Sequence, residues 1–103
     1  MKKQLREMLQ QAQRMQEEMQ RVQAGLADER VEGRASGGSV RAVVNGHGDL
    51  LEISISPDAF DPGDLEMLED MVVAAVRDAT ERSRELSREK LGQLGLPGME
   101  GLL

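Results

Sequence analysis

Apolar residues in the first quarter of the chain fall on a strict heptad: Leu5, Met8, Ala12, Met15, Met19, Val22 and Leu26 are separated by 3, 4, 3, 4, 3 and 4 positions. That spacing predicts a coiled-coil-type helix over about 2–26, ended by Gly25 and then Ala27-Asp28. Its flanks are uncharged Gln4, Gln10, Gln11, Gln13, Gln16, Gln20 and Gln23. The period then changes to two. Val31, Gly33 and Ala35 alternate with Arg30, Glu32 and Arg34, and Val40, Ala42 and Val44 with Arg41, Val43 and Asn45. Leu51, Ile53 and Ile55 alternate with Leu50, Glu52 and Ser54. Three strands are therefore expected, at about 29–35, 39–45 and 49–56. Ser36-Gly37-Gly38 and Asn45-Gly46-His47-Gly48 are short connectors, so successive strands should pair antiparallel through hairpins, one sheet face apolar and the other wet.

Ser56-Pro57 closes the sheet, and a second helix is expected at about 62–91. Asp61 suits its N-cap, Pro62 the first helical position, and the acids that follow complement the positive end of the helix dipole. From Leu65 to Val76 nine of twelve positions are apolar, which asks for burial nearly all round; from Arg77 to Lys90 only Ala79 and Leu86 are apolar, which reads as a solvated arm. The stretch 92–103 is turn-rich and expected to be a flexible tail. Residues 5–26 as helix span roughly 33 Å and 62–91 roughly 45 Å, against roughly 23 Å for a seven-residue strand. Both helices should overhang the sheet. The fold class is α+β, a single domain over 1–103.

Composition limits how such a domain is held together. A chain of 103 residues with Cys 0 and His 1 has no disulfide to staple it and no basis for a structural metal site. A seam of Leu and Met on an overhanging helix should therefore pair with the other helix's seam or with a second chain, so Leu5, Met8, Met15, Met19 and Val22, with Leu68 and Val72 on the second helix, are expected to form a dimer or core seam, and an obligate dimer is expected. Phe60 is the single aromatic, so a base-stacking platform is excluded. Lys+Arg 13 against Asp+Glu 19, a net charge of -6, argues against a simple basic nucleic-acid binder. Placement qualifies that. Lys2, Lys3, Arg6, Arg14 and Arg21 face only Glu7, Glu17 and Glu18 in residues 1–24, and Arg77, Arg82, Arg84, Arg88 and Lys90 outnumber the acids of 77–90, while Asp61, Asp64, Glu66, Glu69 and Asp70 hold the acid excess. The lone His47 sits in a hairpin connector with no nucleophile, base or metal-ligand partner, so an enzyme, a cofactor, a metal and a small-molecule substrate are not expected. No apolar run approaches a membrane span or a signal peptide, and a cytoplasmic location follows as the expectation.

Six ordered segments carry a resemblance over nearly the whole chain: Gln11-Ala12-Gln13-Arg14-Met15-Gln16-Glu17-Glu18-Met19-Gln20, Val31-Glu32-Gly33, Gly37-Gly38-Ser39-Val40, Val44-Asn45-Gly46-His47-Gly48, Ile53-Ser54-Ile55-Ser56-Pro57 and Leu68-Glu69-Asp70-Met71-Val72-Val73-Ala74-Ala75. In that order they resemble the YbaB/EbfC family of bacterial nucleoid-associated proteins. The resemblance implies a helix, three antiparallel strands and a helix, and a homodimer with projecting helices. It also implies binding to double-stranded DNA with little or broad sequence preference, a place in the nucleoid, and roles in nucleoid organisation, gene regulation and DNA protection. Ser56 stands where the family commonly has an acid and Arg77 where it commonly has Asn; the second departure adds positive charge. On spacing alone Lys2, Lys3, Arg6, Arg14, Arg21, Arg77, Arg84, Arg88 and Lys90 read as solvated helix faces with i,i+4 partners. The resemblance turns them into candidate phosphate contacts, read through backbone charge and duplex shape rather than base edges. The rival reading is a dimeric coiled-coil adaptor for another protein, for which the acidic balance speaks.

Overall fold

The computed structural model describes residues 1–93; the expected tail at 92–103 lies, from residue 94 onward, outside the described residues. A first helix, α1 (Lys2–Asp28), leads into strands β1 (Val31–Ala35), β2 (Val40–Val44) and β3 (Leu50–Ile55), and a second helix, α2 (Leu65–Gly92), closes the order. The α-β-β-β-α reading holds, and its boundaries move for local reasons. Gly25 does not stop α1. Leu26, one residue later, is buried, and anchoring it outweighs the roughly 1 kcal/mol that a helical glycine costs. The helix ends where Glu29 turns extended.

The start of α2 is corrected in the same way. Asp61 accepts the Gly63 amide on its carboxylate (2.9 Å) and the Asp64 amide on its carbonyl (3.0 Å), so Asp61-Pro62-Gly63-Asp64 forms a turn, which Pro followed by Gly favours. Asp64 is the cap. Its carboxylate accepts the Met67 amide at 3.1 Å and the helix begins at Leu65.

The sheet is antiparallel in the order β1-β2-β3. Register pairs Gly33 with Ala42 and Ala35 with Val40, then Val40 with Ile55 and Ala42 with Ile53. An irregularity next to Val43 and Val44 then sets Leu50, rather than Leu51, opposite Val44, so the expected alternation of β3 breaks at its first two residues and both leucines are exposed.

One face of β1 and β2 carries α2. Val40, Ala42, Val44, Ala75 and Ala79 form the buried cluster, with Val31, Ala35, Ile53, Leu68, Met71, Val72 and Val76 packed around it. Small residues make the approach close: a Cβ on Gly33 would stand 2.2 Å from the Ala79 amide nitrogen and 2.4 Å from the Ala75 carbonyl oxygen. The helix touches the sheet along one side only, so the expected all-round burial of its front half is wrong for the single chain: Leu65, Met67 and Val73 are 54%, 57% and 48% exposed. Its rear half is no free arm, since Ser83 and Leu91 are buried. The arm is α1. Only Leu26 of α1 is buried, Met19 and Val22 are half-buried, and every residue from Lys2 to Glu18 is exposed. The molecule is accordingly long, 75 × 22 × 17 Å.

Candidate nucleic-acid interface

The structure sorts the cations into two groups. Those on or beside the sheet are spent on carboxylates: Arg30 reaches Glu52 at 2.6 Å, while Glu32 takes both Arg34 (3.1 Å) and Arg41 (3.2 Å). On α2, Arg82 pairs with Asp78 at 3.3 Å, and Lys90 lies 3.8 Å from Glu29 across the junction with α1. The hydrogen bond from Arg34, joined by Arg41, holds the Glu32 carboxyl below its ordinary 4.5. Asp78 is held below 3.8, first by the Arg34 backbone amide it accepts at 3.0 Å and then by Arg82.

The second group consists of Lys2, Lys3, Arg6, Arg14 and Arg21 on α1 and Arg77, Arg84 and Arg88 on α2. All eight are exposed, and none is in an ion pair among the described residues. On α1, Lys3, Arg14 and Arg21 stand close to whole numbers of helical turns apart, and their shared side faces away from Met8, Met15 and Met19. On α2, Arg77, Arg84 and Arg88 line the side opposite Ala75, Ala79 and Ser83, over roughly 16 Å of axis. That side turns away from the sheet. Their expected i,i+4 partners are unused, and the one such pair formed on α2 is Asp78 with Arg82.

Lys90 differs from the other candidates. It is half-buried and braces Glu29, so it belongs to the junction of the helices. Arg82 donates to Asp78 one turn earlier on the same helix. The acids Asp61, Asp64, Glu66, Glu69 and Asp70 are all exposed at the front of α2, away from the α1 arm.

The apolar seam divides too. Leu5, Met8 and Met15 are 59%, 66% and 44% exposed, whereas Leu68 and Val72 pack on the chain's own core.

Sequence reasoning missed the polar joints that hold these surfaces in place. The Ser83 hydroxyl donates to the Asn45 carbonyl at 2.8 Å inside the structure. An imidazole nitrogen of His47 lies 2.9 Å from the Gln23 carbonyl of α1. Asp78 caps an edge amide of β1. A small residue in α2 opposite a strand glycine was visible in Ala75 and Ala79; the partners of Ser83 and His47 lie 38 and 24 positions away and leave no local pattern.

Among the described residues no group of His, Cys, Asp or Glu could hold a metal ion, and no helix is long and apolar enough to cross a membrane. A family model described as the YbaB/EbfC DNA-binding family matches residues 1–99. Proteins named "Nucleoid-associated protein" are similar over most of the chain. One from Saccharopolyspora erythraea is 44% identical, covering 92% of this chain and 93% of that protein. One from Streptomyces griseus is 47% identical (95% and 88%), and one from Chloroflexus aurantiacus 42% (94% and 96%). Among solved structures, the uncharacterized protein HP0035 from Helicobacter pylori shares the fold, with a TM-score of 0.68 at 21% identity over 82% of this chain and 88% of that one.

Proposed function

The chain belongs to the YbaB/EbfC DNA-binding family, a family of nucleoid-associated proteins rather than of enzymes, and from that premise we propose that it binds double-stranded DNA as a homodimer, with little sequence preference, through the outer sides of α1 and α2. One observation carries this reading. The five cations on or near packed surfaces are engaged by carboxylates, and among the described residues the eight on the outer helix sides are not. An unpaired exposed guanidinium keeps all its donors for phosphate oxygens, and releasing DNA counterions is what drives such contacts. With one aromatic residue, Phe60, there is no platform on which bases could stack. Recognition therefore rests on phosphates and on duplex shape, which suits roles in organising the nucleoid, shielding DNA and modulating genes broadly.

Two copies are favoured by what one copy leaves open. Leu5, Met8 and Met15 on α1, and Leu65, Met67 and Val73 on α2, are uncovered, while among the described residues the buried apolar side chains are few and none is larger than Leu.

Electrophoretic shifts with several unrelated duplexes of equal length, on protein whose oligomeric state has been measured, test the proposal. Retardation of all of them at similar concentrations is expected. Retardation of none would favour the rival, a coiled-coil adaptor whose partner is another protein.

A further inference from the structure

The arm is held by its root alone. The stretch from Lys2 to Glu18 is exposed throughout, roughly 25 Å of helix with no support from the other described residues. Small rotations at the root therefore become large displacements at the cations: about 10° moves the tip by about 4 Å or more. What fixes the root is the β2–β3 turn. The Gly46 amide donates to the Leu26 carbonyl at 2.7 Å, and a Cβ at Gly46 would stand 2.6 Å from that same oxygen, so only glycine lets the backbone come this near. One hydrogen bond is a pivot. The second tie is His47, whose Nε2 lies 2.9 Å from the Gln23 carbonyl. Because a carbonyl can only accept, Nε2 carries the hydrogen. Gln23 and Leu26 lie about one turn apart on α1, so the two bonds define a line along the helix and not a single point.

The turn that offers these donors is itself rigid. Asn45 accepts the His47 and Asp49 amides on its side-chain oxygen (2.9 and 3.0 Å), and its carbonyl accepts the Ser83 hydroxyl from α2. Asn45 and Ser83 are both buried. The root of α1 is thus tied through the turn to α2, which carries the other set of free arginines. Lys90 to Glu29 adds a direct brace between the helices.

We propose that His47 is a positioning residue: its imidazole, with the Gly46 amide, sets the direction of α1 relative to α2 and so the spacing at which the two sets of cations meet DNA. This rests on the DNA-binding reading, since the direction matters only if both helices engage one duplex. It gives the single histidine a role that needs neither catalysis nor metal.

The chain has Cys 0, which allows clean spin labelling. Gln10→Cys on α1 and Glu81→Cys on α2 place one label on each helix at exposed sites, and dilution with unlabelled chain isolates the distance within a protomer. Measured without DNA, the wild-type background should give one narrow distance distribution. His47→Phe keeps a ring and removes the donor; it should broaden or shift the distribution and weaken duplex binding by about threefold to tenfold, the population effect of losing one such bond. His47→Gln, which keeps an N–H, should restore both. Far-ultraviolet circular dichroism separates misfolding from misdirection, and the Gln variant keeps the test decisive if Phe impairs folding. An unchanged distance distribution in His47→Phe, or loss in Gln equal to that in Phe, overturns the proposal. Failure of the wild-type protein to bind any duplex would overturn the DNA-binding reading separately, because the distances are read on free protein.

Discussion

At the scale of single residues, the close contact of helix and sheet depends on an absent side chain. With the Ala79 nitrogen 2.2 Å from where a Cβ would be, Gly33→Ala collides with backbone that no rotamer change can move. The sheet and α2 must part, opening the cluster of Val40, Ala42 and Ala75. The expected loss is about 3 kcal/mol or more in urea unfolding, and a value below 1 would mean that the two layers slide freely. The alternation marks Gly33 as a strand position on the apolar face, but nothing beside it shows how closely the helix approaches, because the contact is made with residues far along the chain. Charged residues give a second prediction here. Asp78 and Glu32 have their carboxyls held low, by the Arg34 amide and by Arg34 with Arg41 respectively. A depressed folded value means the unfolded chain binds more protons at acid pH, so their stabilisation is complete above about pH 4.5 and is lost as pH falls through the folded values. Asp78→Asn and Glu32→Gln together should flatten the fall in melting temperature below pH 4.5; a fall as steep as in the wild type would place the acid sensitivity elsewhere.

At the scale of elements, periodicity made type and order readable, and partnership less so. The heptad of α1 and the alternation of β1 and β2 each reflect a local rule, and each of these elements exists where its pattern lies; the start of α2 moves to Leu65, because Asp61-Pro62-Gly63-Asp64 forms a turn and not the cap and first positions of the helix. How an element is buried depends on what its neighbours supply. The front of α2 is apolar nearly all round, yet the sheet is wide enough to cover only one side, and the rear half packs through apolar Ala79 and through Ser83, which no hydropathy pattern marks as core. The same distinction governs the cations. By spacing, Arg30 and Arg34 look as available as Arg14 and Arg21; the sheet carboxylates Glu52 and Glu32 engage the first pair and leave the second free. Reversing charge on each pair therefore separates the two groups. Arg14→Glu with Arg21→Glu should weaken duplex binding by tenfold or more while leaving the melting temperature near the wild-type value, whereas Arg30→Glu with Arg34→Glu should lower the melting temperature, by breaking the pairs with Glu52 and Glu32, and affect binding less. A larger binding loss from the second pair would move the interface onto the sheet.

At the scale of the whole molecule, shape and charge make a joint demand. A radius of gyration of 19.7 Å, against about 13 Å for a compact chain of this length, describes a body with an arm, and in the proposed homodimer a second copy covers the arm's bare apolar side. The net charge of -6 opposes DNA only weakly, because the acids at the front of α2 lie away from the arm and at 0.15 M salt the Debye length is about 8 Å. The salt dependence of binding then counts the phosphates engaged. If about three to five of the eight free cations in one chain touch phosphates, a monomer should lose roughly 40- to 500-fold in affinity between 50 and 200 mM salt, and a dimer engaging about six to ten should lose a thousandfold or more. The steeper slope is expected, parallel across unrelated duplexes. Met15→Asp supplies the internal control: Met15 is open to solvent in the single chain, so a charge there is tolerated by the folded protomer but not by a shared seam. Sedimentation should show Met15→Asp as monomer and the wild type as dimer, and the variant's slope should fall to about half. A wild-type monomer at micromolar concentration, or binding indifferent to salt, would refute this account of the assembly.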